Sequence, residues 1–232
     1  MKDTINYDQV ITVPECGISQ PPAEPPSHLS IDTVLIPEPC LRGRVSALAR
    51  DISRDYAHTE ELCIVVVLKG AFVFAADLGR EIYKSHGPSV RYDFIKAITY
   101  GTEIKDTGDS TRTVRIKLRP RGLEGQHVLL VDDIVDQAFT LSKAQRLLEI
   151  ENVKSLRTCA LLCKSLKDPA PAVRRRKHAL PLHYVGFNVP DRWVAGYGID
   201  AGEDFRHLPY IVSVKEEHYR KGTRRDDPSR GP

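Results

Sequence analysis

Residues 127–148 read HVLLVDDIVDQAFTLSKAQRLL, and few folds accommodate such a stretch. Val128, Leu129, Leu130 and Val131 form an unbroken apolar run, the pattern of a parallel strand covered on both faces. Two carboxylates follow at Asp132 and Asp133. After a turn, helical spacing begins at Thr140 and continues through Leu141, Ala144, Leu147 and Leu148. A strand that runs through an acidic loop into a helix offers two kinds of ligand group at once. The helix start presents unpaired N–H groups and the positive end of the helix dipole, which suit a phosphate. The carboxylates can accept from vicinal sugar hydroxyls or hold a cation. A sugar phosphate with a metal is the ligand this predicts; on this stretch alone, an ordinary strand–turn–helix with solvated acids is the alternative.

The flanking sequence supplies the rest of an α/β domain. Five prolines at 14, 21, 22, 25 and 26 argue against helix or central strand in residues 1–31, which read as a flexible arm. A domain over 32–216 and a charged tail over 217–232 complete the division. Past Pro37 a helix is expected, with Leu41, Val45, Leu48, Ile52 and Tyr56 on one face. LCIVVVL (62–68) is a buried strand that meets Lys69, Gly70 and Ala71 before a helix with Phe74, Leu78 and Ile82 on one side. Strands are also expected over 90–95, from Val114, over 155–164 ending in Lys164, over 183–187 and over 210–214. Between them, residues 101–112 are polar and broken by glycine and aspartate, which makes them filler or a lid.

At 232 residues, 41% hydrophobic and 28% charged, the chain is long enough for a substantial core and is not of disordered composition. Its net charge of +3 owes much to Arg174, Arg175, Arg176 and Lys177 and to the basic tail, which read as a solvated loop and tail. No nucleic acid and no membrane is therefore expected as a partner. Five cysteines, an odd number without CxxC spacing, suggest a reducing compartment and no structural zinc. With no long uncharged apolar stretch and no apolar leader, a cytoplasmic location is expected.

The acidic stretch resembles the phosphoribosyl-pyrophosphate motif of type I phosphoribosyltransferases over 128–140. The acidic pair, Asp136 and Thr140 fit that motif, while Gln137, Ala138 and Phe139 stand where Thr, Gly and often Lys are usual. Backbone N–H groups do not depend on side chain, so the phosphate cradle is expected to survive. VVVLKGAFVFAADL (65–78) resembles the same segment of the hypoxanthine-guanine members. There the resemblance implies a cis peptide between Leu68 and Lys69, and a loop of Lys69 and Gly70 that grips pyrophosphate. Thr99 and Tyr100 stand where those members carry Ser-Tyr at the base of a lid. VGFNVPDRWVAGYGIDAGEDFRHLPYI (185–211) is similar to their purine-recognition segment.

By that resemblance Trp193, followed by Val194, stacks on the base, and Lys164 donates to an exocyclic 6-oxygen. Asp136 sits beside purine N7 and accepts the proton. Gln137, Ala138, Phe139 and Thr140 cradle the 5-phosphate, and Arg206 contacts pyrophosphate. Asp132 and Asp133 serve the ribose hydroxyls and a first Mg²⁺, and Asp200 serves a second. The implied fold is the type I phosphoribosyltransferase α/β fold: a mostly parallel central sheet flanked by helices, with a small hood formed by N- and C-terminal segments. The implied reaction transfers the 5-phosphoribosyl group from phosphoribosyl pyrophosphate to N9 of hypoxanthine or guanine, with xanthine a further candidate. Family habit implies a homodimer or homotetramer. A catalytically weak or regulatory nucleotide-binding member of the fold is the rival reading, motivated by Gln137, Ala138 and Phe139.

Overall fold

A computed structural model describes residues 30–100 and 113–218, without the side chains of Thr99, Tyr100 and Thr113. The Pro-rich arm up to residue 29, the expected lid over 101–112 and the tail from residue 219 lie outside the described residues.

Six strands form the central sheet: β2 (Glu61–Leu68), β3 (Ser89–Tyr100), β4 (Thr113–Leu118), β5 (His127–Val135), β6 (Ser155–Ser165) and β7 (Tyr184–Pro190). Their spatial order is β4-β3-β2-β5-β6-β7, and every pairing is parallel except β3 with β4. Parallel neighbours require crossovers, supplied here by α2 (Phe72–Lys84), α3 (Phe139–Glu149) and α4 (Pro171–Ala179). The apolar run of β5 explains its central place. Leu129 and Val131 enter the core shared with α1 (Glu38–Asp55) and α2, while Val128 and Leu130 enter the core against α3. All four are fully buried, so no polar residue could replace them without losing a partner.

The hood is a second, antiparallel sheet in the order β1 (Ile31–Ile36), β9 (Ile211–Val214) and β8 (Val194–Ala195). It joins the start of the domain to its end, with a small core of its own around Ile31, Phe205, Leu208 and Val212. The expected fold class is the observed one.

Two local expectations need correction. Residues 31–36 were expected only as the approach to a helix, but they form β1, because the partner that stabilises them, β9, is about 180 residues away in sequence. The basic segment expected as a solvated loop is the helix α4, begun by Pro171 at its first turn. It buries no residue completely, so it has no apolar stripe by which periodicity could reveal it. Cys63, Cys159 and Cys163 are buried free thiols. Among the described residues no helix is long and apolar enough to cross a membrane.

Candidate functional site

The carboxyl ends of β2, β5 and β6 place their loops together at one edge of the sheet, facing the hood. At the end of β2, Leu68 and Lys69 are joined by a cis peptide, as the resemblance implies. Gly70 follows, and a Cβ there would collide with the carboxylate of Asp133. Glycine thus lets an acid from β5 lie against this loop. Gly198, with φ near +100°, is constrained from the other side, because a Cβ on it would strike the carbonyl oxygen of Gly70. The hood loop therefore rests directly on the Lys69-Gly70 turn.

Asp132 and Asp133 are enclosed here, Asp132 being only 5% exposed. An Oδ1 of Asp132 accepts from the Asp133 N–H at 3.0 Å, and an Oδ1 of Asp133 accepts from the Ile134 N–H at 2.8 Å. Burial, then the adjacent Asp133 charge, holds the Asp132 carboxyl well above its usual range, and burial also raises Asp133. Among the described residues neither acid forms an ion pair with a lysine or arginine. Two adjacent carboxyls, one buried and one half-buried, with no lysine or arginine partner among the described residues, suit an incoming Mg²⁺, which takes one or two carboxylates and completes its shell with substrate oxygens and water. In keeping with that, no cluster of three or more acid, His or Cys side chains among the described residues could hold a metal by itself.

The loop after β5 keeps its shape despite its unusual side chains. Ala138 caps α3 in the left-handed region, with φ 63° and ψ 14°, where the common motif carries glycine. An alanine there costs about 1–2 kcal/mol, which the surrounding contacts must offset. Helix α3 begins at Phe139, so its first turn includes Thr140. Phe139 turns toward α4, its ring lying beneath the guanidinium of Arg176 at 3.6 Å. The backbone carbonyl of Gln137 accepts from the same arginine at 3.4 Å.

Lys164 is not solvent-exposed at its strand end. It is 5% exposed, and its Nζ lies 3.2 Å from Asp136 and 5.4 Å from the ring centre of Trp193. Trp193 is half-buried and Val194, the first residue of β8, is buried. Thus a carboxylate, an ammonium and an aromatic face, drawn from three distant stretches of sequence, converge at one place. Thr99 and Tyr100 close β3, and their side chains lie outside the described residues.

Asp200 and Arg206 come together as an ion pair at 2.8 Å. Arg206 also donates to the Gly198 carbonyl at 2.9 Å. The sequence reading missed Glu203, which bridges Lys69 at 2.9 Å and Arg206 at 3.0 Å while its own N–H donates to Asp200 at 2.8 Å. These partners hold the Glu203 carboxyl below its usual range, Lys69 contributing most. A φ of 68° at Glu203 marks a turn that no motif announced. Lys177 was missed too: its Nζ donates to the Lys164 carbonyl at 2.7 Å, buttressing the strand end that carries the ammonium. A groove of about 570 Å³ between α1, α2 and residues 206–209 adjoins Arg206, but neither Asp132, Asp136 nor Lys164 lines it.

Residues 39–201 match the phosphoribosyl transferase domain. The chain is 38% identical over 183 residues to the hypoxanthine phosphoribosyltransferase of Escherichia coli K12, covering 78% of this chain and 94% of that enzyme. It is 37% identical over 189 residues to the hypoxanthine-guanine phosphoribosyltransferase of Dictyostelium discoideum, covering 81% and 98%. Its fold superposes with a TM-score of 0.70, at 33% identity, on the structure of a mutant Trypanosoma cruzi hypoxanthine phosphoribosyltransferase complexed with the product IMP, covering 85% of this chain and 98% of that one. With the domain match spanning most of the described residues and relatives this similar along nearly their whole length, the chain belongs to the phosphoribosyltransferase family.

Proposed function

We propose that the protein transfers the 5-phosphoribosyl group of phosphoribosyl pyrophosphate to N9 of a 6-oxopurine, hypoxanthine or guanine, releasing pyrophosphate. The observation that carries this reading is the convergence on Lys164. Its buried ammonium, flanked by Asp136 and Trp193, offers a donor for O6, an acceptor beside N7 and a face for the ring. A donor-only group rejects a 6-amino purine, which would point hydrogens at it.

Each chain segment then has a task. The first turn of α3 and the 136–140 loop receive the 5-phosphate, with N–H groups directed at it by the helix start. Asp132 and Asp133 accept from the ribose hydroxyls and would hold Mg²⁺, which supplies charge neutralisation for the leaving pyrophosphate. Lys69 and Arg206 offer positive charge to that leaving group, and the Gly70 turn brings backbone close to it. Asp200 is a further candidate for Mg²⁺ once Arg206 turns from it to pyrophosphate. Asp136 accepts the base proton as N9 attacks C1′, after first yielding its contact with Lys164 to the purine. The family resemblance carries the expectation of a dimer or tetramer, and Phe72, Tyr83 and Tyr92 are exposed apolar groups available for such contact.

Steady-state kinetics with hypoxanthine, guanine, xanthine and adenine, with Mg²⁺, tests the reading. Turnover of the first two and none of adenine is expected. Lys164→Ala should raise KM for the base by roughly tenfold or more while leaving KM for phosphoribosyl pyrophosphate close to wild type, the cost of one charge-assisted hydrogen bond. Preferential use of adenine by the wild type would overturn the assignment of Lys164.

A further inference from the structure

Helix α4 has no fully buried residue, yet it is docked on the sheet. Its attachment is polar and falls on the site's own backbone. Besides its bond to the Lys164 carbonyl, the Lys177 ammonium reaches the Val135 carbonyl at 3.4 Å. Arg176 covers Phe139 and reaches the Gln137 carbonyl. Every one of these receptors lies at the end of β5 or β6 or in the loop expected to hold the 5-phosphate.

That loop contains no cationic side chain, since residues 136–140 are Asp, Gln, Ala, Phe and Thr. A guanidinium is brought to it from a different segment, that of Arg176, about 37 residues on. We propose that Arg176 is a positioning residue for the phosphate loop: stacked on Phe139 and tied to the Gln137 carbonyl, it holds the loop in its left-handed turn and sets a fixed positive charge beside the substrate's 5-phosphate. Phe139 is then the platform for this arginine rather than a defect in the motif. A planar guanidinium suits the role because it can stack and donate at the same time, which an ammonium does less well. The proposal rests on the reading of 136–140 as the phosphate cradle.

The test compares wild type with Arg176→Met and Arg176→Lys, using IMP and inosine as paired ligands and Trp193 fluorescence or calorimetry as the readout. Methionine keeps much of the packing on Phe139 and removes the charge; lysine restores the charge with a poorer stack. Arg176→Met should weaken IMP roughly tenfold, with inosine changed far less. KM for phosphoribosyl pyrophosphate should rise more than kcat falls, and Arg176→Lys should recover part of the loss. Equal weakening of IMP and inosine, or a lysine variant no better than the methionine one, would reduce Arg176 to a packing residue and overturn the proposal. Unchanged IMP affinity in Arg176→Met overturns it as well. A wild-type protein that binds no IMP at all would instead overturn the phosphate cradle, and this proposal with it.

Discussion

The two ends of the central sheet carry polar clusters of opposite character. At the amino ends of β5, β6 and β7, Arg157 pairs with Asp55 and donates to the Tyr184 hydroxyl at 2.6 Å, and that hydroxyl donates to Asp55 at 2.8 Å. His127 meets Ser155 at 2.7 Å beside them, and the Arg157 guanidinium lies 5.4 Å from the ring centre of Tyr56. Charges here balance within the chain. At the carboxyl end of β5, the buried Asp132 and half-buried Asp133 have no lysine or arginine partner among the described residues, and nearby Glu203 bridges Lys69 and Arg206. A closed network balances its charges within the chain, whereas adjacent carboxyls held above their usual range carry an electrostatic cost that an incoming cation would relieve.

The sharpest way to break this contrast is to alter one group at each end. Asp136→Asn should lower kcat by roughly 10²–10⁴, the usual range for loss of a general base, with KM values changed far less. Turnover like wild type in steady-state assays would remove Asp136 from the chemistry. At the other end, Arg157→Ala leaves Asp55 and the Tyr184 hydroxyl without their shared partner. It should cost about 1–2 kcal/mol in denaturant unfolding while kcat per folded molecule stays at the wild-type value. A fall in kcat there would show that the two ends are coupled.

Smaller effects sharpen the comparison. Glu203→Gln frees Lys69 and Arg206 from a competing carboxylate and should tighten pyrophosphate by roughly threefold to fivefold in calorimetry, the scale of a partly exposed ion pair. Weaker pyrophosphate binding would instead make Glu203 an organiser of the loop. The least effect is expected at His127, whose pKa is lowered by burial, then by the Lys154 charge. Its neutral form is favoured in the folded state, so its contribution is present above the ordinary value of 6.5 and is lost as pH falls through the lowered value. His127→Gln should flatten the dependence of Tm on pH in that acidic window, and an unchanged profile would count against it.

How much of this was legible beforehand depended on how local each signal is. Strands β2, β5 and β6 announced themselves because a strand buried on both faces must be apolar throughout. The 128–140 loop did so because acid pair, turn and helix start are consecutive. The left-handed Ala138 was hidden, since alanine carries no sign of the conformation that glycine advertises. Helix α4 was hidden because its docking uses arginine and lysine side chains on backbone carbonyls, which leave no apolar period. Glu203 was hidden because Lys69, the partner that ties it to the β2 loop, is 134 residues away in sequence.

The order of residues by itself determined the parallel core, the acidic loop and the candidate groups for the chemistry, because burial periodicity and turn composition act over a few residues. Only the tertiary structure decided that Lys164 is buried between Asp136 and Trp193, that the hood loop rests on Gly70, and that an arginine from α4 covers Phe139. Those contacts join segments tens of residues apart, and their geometry follows from how sheet, hood and crossover helices pack together rather than from any local preference of the chain.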